Sequence, residues 1–125
     1  MKKQISTPNA PAALGPYSQA IETDGYVFVS GQVPIDPAAG KITADTIEAQ
    51  SEQVMKNIGA ILAEAGLGYE SIVKTTCYLA DLADFAAFNA VYGAYFKDAA
   101  PARACFQVAA LPAGAKLEVE AIAVK

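Results

Sequence analysis

At 125 residues the chain is one domain by length, residues 1–125, and long enough to bury a core without disulfide or metal staples. Its formal net charge is −4, and its nine Lys and Arg residues are scattered without a run. Nucleic acids are bound by neutralising phosphates, so no nucleic-acid partner is expected. Charged residues make up only 18% of the chain, which points to a surface partly covered in an oligomer. The two cysteines, Cys77 and Cys105, are too few and too far apart for a disulfide framework. They read as reduced thiols of a cytoplasmic protein. No apolar segment follows Met1-Lys2-Lys3-Gln4 as a signal peptide requires, and no run reaches membrane-spanning length, so no membrane partner is expected.

Thr7 to Pro16 is rich in Pro, Ala and Gly and reads as an ordered lead-in loop. Tyr17–Thr23 and Tyr26–Val33 read as two strands joined by a tight turn at Asp24-Gly25, where glycine accepts a positive φ. Pro34 to Gly40 reads as a loop. Asp45-Thr46-Ile47-Glu48 has the spacing of a capping box with Asp45 as acceptor. Beyond it Ile47, Ser51, Val54, Met55, Ile58, Ile61, Leu62 and Ala65 form one helical stripe that Gly66 ends.

Ser71–Leu79 is β-branched and aromatic, hence a strand. A second helix is predicted from about Asp84 to Lys97, its aromatics Phe85, Phe88, Tyr92, Tyr95 and Phe96 read mainly as core. Arg103–Ala109 and Lys116–Val124 complete the order ββαβαββ, which is an α+β fold with two helices on one face of a sheet. Tyr26-Val27-Phe28-Val29 and Ala121-Ile122-Ala123-Val124 are apolar on both faces of their strands. The face that the helices leave open therefore needs a cover, and a second copy of the chain is the simplest one.

The chain has no histidine, which removes Ser-His-Asp and Cys-His catalysis and the commonest zinc ligand. It has no Gly-x-Gly-x-x-Gly, and Gly40-Lys41 is followed by Ile42, so it lacks a phosphate-binding loop. No cofactor or metal is expected. Carboxylates, arginine, a thiol, tyrosines and water remain. Strand alternation puts Arg103, Cys105 and Gln107 on one face of their strand, and Glu118 with Glu120 on one face of the next. A hairpin joining the two strands would bring arginine and carboxylate within reach. Two readings stay open at this point: an ordinary cross-strand ion pair, the plainer one, or the core of a small-anion site.

The segment Pro101-Ala102-Arg103-Ala104-Cys105-Phe106-Gln107-Val108-Ala109-Ala110-Leu111-Pro112, followed by Leu117-Glu118-Val119-Glu120-Ala121-Ile122-Ala123-Val124, resembles the C-terminal signature of the RidA (YjgF) family. Gly15-Pro16-Tyr17-Ser18-Gln19-Ala20, Val29-Ser30-Gly31-Gln32-Val33-Pro34, Lys74-Thr75-Thr76-Cys77-Tyr78-Leu79 and Phe88-Asn89-Ala90-Val91-Tyr92 match in the same order, so the resemblance spans the chain. It implies a chorismate-mutase-like fold, a homotrimer with clefts between subunits, and cofactor-free hydrolysis of 2-imino acids to 2-oxo acids and ammonia.

By position, the resemblance implies that Arg103 binds the substrate carboxylate. Glu118 and Cys105 would attend the water, while Tyr17, Ser30, Gly31 and Asn89 would line the pocket. Glu120 reads as structural support. Two competing readings are a non-catalytic sensor of small carboxylates with the same fold and an endoribonuclease or translation inhibitor.

Overall fold

Eight strands, two α-helices and three short 3-10 turns make up the computed structural model, which describes residues 1–125. The strands are β1 (Lys3–Ile5), β2 (Ala20–Thr23), β3 (Tyr26–Gln32), β4 (Ile35–Asp36), β5 (Lys41–Ile42), β6 (Ile72–Leu79), β7 (Ala102–Gln107) and β8 (Leu117–Val124). The helices are α1 (Ile47–Glu64) and α2 (Phe85–Gly93). Six strands form one sheet in the order β1-β2-β3-β8-β6-β7, and β4 with β5 forms a separate small hairpin. All neighbours in the large sheet run antiparallel except β6 and β7, which are parallel, so the sheet is mixed.

The β2–β3 turn has φ 49° at Asp24 and 83° at Gly25, the positive values that match a two-residue turn to strand twist. α1 starts one residue later than the capping-box spacing implies. Thr46, in extended backbone, accepts from the Ala49 N–H at 3.1 Å, so Asp45 lies too early to cap. Gly66 follows the helix with φ 78°, as expected. The predicted Pro34–Gly40 loop contains β4 and leads into β5. α2 ends at Gly93, short of Lys97, yet Tyr95 and Phe96 still pack on the core.

Val27 and Val29 of β3, Thr75, Cys77 and Leu79 of β6, and Leu117, Val119, Ala121 and Ala123 of β8 alternate into one buried layer. Val54, Met55, Ile58, Ile61 and Leu62 of α1 and Phe88 and Tyr92 of α2 close that layer from one side. The other face stays open within the chain. Tyr26, Phe28 and Phe106 remain 44 to 47% exposed, against the tendency of a soluble chain to bury such rings.

Two buried amides fix the loops beside the open face. The Gln19 side chain accepts from the Thr7 N–H at 2.7 Å and donates to the carbonyls of Thr7, Ala10 and Pro11 at 3.0, 3.3 and 2.8 Å. That holds the lead-in loop against β2. Asn57 of α1 donates to the carbonyls of Val33 and Ile35 at 3.2 and 3.0 Å, which pins the β3–β4 connection. Each bond satisfies backbone that a loop would otherwise leave unpaired.

Candidate active site

Val29 pairs with Ala121 and Gln32 with Val119, so Ser30 and Gly31 together stand opposite the single residue Glu120. This bulge re-aims the end of β3 toward β8, a common device beside functional sites. The Ser30 hydroxyl donates to the Ser18 carbonyl at 2.6 Å and its N–H donates to the Gln19 carbonyl at 2.9 Å, which ties the bulge to the lead-in loop. A methyl group at Gly31 would overlap the Glu118 carboxylate, so the carboxylate lies directly over the Gly31 backbone. Only glycine leaves room for that approach.

Tyr17, Ser30, Gly31 and Glu118 line one cleft of about 580 Å³ on the open side, with Leu14, Val33, Ile35, Pro112, Ala113 and Glu120 completing its walls. Ala113 adopts φ 58°, unusual for a residue with a side chain, at the turn that carries Pro112 to Gly114 to the rim. Glu118 is half-buried, and its carboxyl is held above the ordinary carboxylate value, first by burial and then by the neighbouring Glu120. Glu120 is thus more than the structural support expected of it, because it shares the cleft and opposes ionisation of Glu118.

Arg103 is not in that cleft. It pairs with Thr75 of β6, a buried residue that faces the helices, whereas Glu118 pairs with Tyr78 of β6. Thr75 and Tyr78 are three residues apart on one strand and project from opposite faces, and their register partners follow them. The expected hairpin between the arginine and glutamate strands does not form, since β6 lies between β7 and β8. Two strand spacings are about 10 Å, and residues 108–116 have ample length to cross over β6. The plain cross-strand ion pair is therefore ruled out within the chain; its only side-chain ion pair is Lys125–Glu22 at 3.3 Å.

On the helix side Arg103 Nη1 donates to Asn89 Oδ1 at 2.7 Å. Its guanidinium lies over the Phe85, Phe88 and Tyr92 rings of α2. Cys105, two residues on, shares that face and pairs in register with buried Cys77. Burial pushes the Cys105 thiol up despite the lowering effect of Arg103, so it is a protonated thiol at neutral pH rather than a ready nucleophile. Burial also raises Cys77, to about 12.

The residues singled out from the sequence thus fall into two sets. Tyr17, Ser30, Gly31 and Glu118 come together on the open side. Arg103, Asn89 and Cys105 gather at the edge strand β7 against α2. Sequence reading missed the three rings over Arg103 as a functional feature, although the spacing 85, 88, 92 puts them on one helical face. No group of three or more Cys, Asp or Glu residues is arranged to hold a metal ion. No helix is long and apolar enough to cross a membrane.

A profile of the family described as "Endoribonuclease L-PSP" matches residues 7–125. The chain is 48% identical over 125 residues to a mouse (Mus musculus) protein named 2-iminobutanoate/2-iminopropanoate deaminase, covering 100% of this chain and 93% of that one. Among solved structures it superposes with a TM-score of 0.98 on the Rid-family protein YyfA from Yersinia pestis, at 45% identity and 100% coverage of both chains. E. coli TdcF, whose structure contains bound serine, matches with a TM-score of 0.94 at 44% identity over 98% of each chain. By profile, sequence and structure alike, the chain belongs to the Endoribonuclease L-PSP family, whose members include proteins named as imino-acid deaminases.

Proposed function

We propose that the protein is a 2-iminobutanoate/2-iminopropanoate deaminase, hydrolysing 2-imino acids to 2-oxo acids and ammonia without a cofactor. We further propose that it works as a cytoplasmic homotrimer of the chorismate-mutase-like kind, each active site shared between two subunits. The observation that carries this reading is the division of the site residues between opposite faces of one sheet. Neither half is a complete site for a charged substrate: one has a cation and no general base, the other carboxylates and no cation. The exposed Tyr26, Phe28 and Phe106 on the open face give a second copy an apolar surface to cover.

In the shared site the planar Arg103 guanidinium takes the substrate carboxylate through two parallel hydrogen bonds. That contact orients the imine carbon toward the Glu118 side. The protonated imine is already electrophilic. Glu118 accepts a proton from the attacking water as the C–O bond forms and returns it to the carbinolamine nitrogen. As the C–N bond breaks, Glu118 takes the hydroxyl proton, leaving the 2-oxo acid, and passes it to the departing ammonia. A carboxyl raised above its usual value suits that double duty, because it holds a proton more readily than an exposed glutamate. Tyr17 and the Ser30-Gly31 bulge wall the water side; Asn89 and the protonated Cys105 wall the carboxylate side.

The serine bound by E. coli TdcF carries a carboxylate beside a nitrogen-bearing carbon, the same pattern as a 2-imino acid. A ribonuclease would need to neutralise phosphates, whereas the cleft here presents Glu118 and Glu120.

Complementation tests the shared site. Arg103→Ala and Glu118→Gln will each be inactive alone. Subunits mixed one to one in a ring trimer will restore about a quarter of wild-type activity, because an intact Arg103 then meets an intact Glu118 at about one boundary in four. Mixtures as inactive as either parent would sink the shared site, and a wild type that binds 2-oxobutanoate without turnover would make the protein a sensor. Gly31→Ala will displace the Glu118 carboxylate and lower kcat about 10- to 100-fold in a folded protein, read by steady-state kinetics.

A further inference from the structure

A guanidinium that is to take a planar carboxylate with two bonds must present its plane at a fixed angle, and a long flexible side chain on an edge strand does not do so unaided. Around Arg103 the chain supplies four restraints. The guanidinium carbon lies 5.0 Å from the centroid of Tyr92, 5.5 Å from that of Phe85 and 5.9 Å from that of Phe88, all within the range of attraction between a cation and a ring face. The fourth is the 2.7 Å bond from Nη1 to Asn89 Oδ1. All four come from one face of α2.

Tyr92 is itself held. It is buried, and its hydroxyl shares a 2.7 Å hydrogen bond with the Thr75 hydroxyl. Thr75 is the direct register partner of Arg103 across the β6–β7 ladder. The restraint therefore closes on itself: the backbone of Arg103 sets Thr75, Thr75 sets Tyr92, and the Tyr92 ring sets the Arg103 guanidinium. Phe88 and Tyr92 also belong to the core, so packing alone would account for their burial but not for a cation stacked on all three rings.

We infer that Phe85, Phe88 and Tyr92 form an aromatic cradle of positioning residues that fixes the Arg103 guanidinium, with Tyr92 locked by Thr75 as its principal member. This rests on Arg103 being the carboxylate-binding group. Asn89 occupies one N–H of the five that a guanidinium carries, leaving others for the ligand. The cradle acts through Arg103 and touches no reacting atom.

The test uses the full-length protein and reads Arg103 directly, by NMR measurement of rotation about its Nε–Cζ bond, alongside kinetics with 2-iminobutanoate. Tyr92→Leu keeps apolar bulk but removes the ring face. It will speed the rotation and raise KM by about tenfold each, with a smaller change in kcat. Tyr92→Phe restores the ring without the Thr75 bond and will bring both back to within about threefold of wild type. A merely structural role would lower the melting temperature of Tyr92→Leu and leave Arg103 rotation and KM unchanged; that result overturns the cradle.

Should Tyr92→Leu fail to fold, Phe85→Leu at the exposed ring gives the same readout with about a threefold effect, and no change there overturns the cradle equally. A wild type without turnover or affinity for 2-oxobutanoate would remove the deaminase reading. The rotation measurement on the free protein still decides the cradle in that case.

Discussion

Arg103→Ala will lower kcat/KM for 2-iminobutanoate about a thousandfold while the protein still folds and assembles. Two charge-assisted hydrogen bonds to a carboxylate contribute roughly 1.5–3 kcal/mol each, and their sum corresponds to about a hundredfold to ten-thousandfold in rate. The structural consequences are small by comparison. Arg103 is half-buried, forms no ion pair within the chain, and donates its one side-chain hydrogen bond to a half-buried Asn89 that water can reach. β7 itself is held by its ladder to β6. Release of 2-oxobutanoate above the spontaneous rate, measured beside circular dichroism and sedimentation, separates the two effects. Arg103→Lys will recover little, since an ammonium keeps the charge and loses the planar fork. Acceleration by Arg103→Ala within a few-fold of wild type would remove Arg103 from the site.

Much of this architecture is legible in local pattern. The alternation Leu117, Val119, Ala121, Ala123 against Glu118, Glu120, Ile122, Val124 gives β8 and its buried face directly. The Ile47 to Ala65 stripe gives α1, and Asp24-Gly25 gives the first hairpin. What local pattern does not carry is strand order. Nothing in residues 108–116 says whether the chain turns back beside β7 or crosses over β6, yet that choice decides which face of the sheet Arg103 shares. With a hairpin the arginine and the glutamate meet within one chain; with the crossover they project from opposite faces.

The sequence therefore picks out the two residues but misplaces them relative to each other. β1 is hidden in the sequence for a related reason. Lys3-Gln4-Ile5 is a polar edge strand with one buried residue, too short for a period to show. Phe88 and Tyr92 read correctly as core while Phe85 stays exposed, and the stacking of all three on Arg103 is hidden in the sequence because it needs the partner strand in place.

Glu118→Gln will separate chemistry from stability, since the two should move in opposite directions. Removing the proton acceptor will lower kcat about a thousandfold, within the range for a positioned general acid–base, and leave affinity for 2-oxobutanoate within a few-fold. Burial, followed by Glu120, raises the Glu118 carboxyl above its usual value of 4.5 in the folded chain. Between that value and the raised one the folded protein binds more protons than the unfolded chain. Its contribution to stability is therefore full below pH 4.5 and is lost as pH rises through the folded value. At neutral pH the ionised carboxylate is a liability that the neutral amide does not share.

Glu118→Gln should accordingly melt higher than wild type at pH 7, and the advantage should vanish near pH 4. Denaturation at the two pH values, set beside kcat, reads both effects on one pair of proteins. Lower stability at both pH values with activity lost in proportion would make Glu118 a structural residue. Loss of turnover with gain of stability is the signature of a group retained for its chemistry at the expense of the fold. The same experiment on Glu120→Gln gives the complement: it removes the charge that opposes ionisation of Glu118, so the activity profile should shift to lower pH while turnover persists.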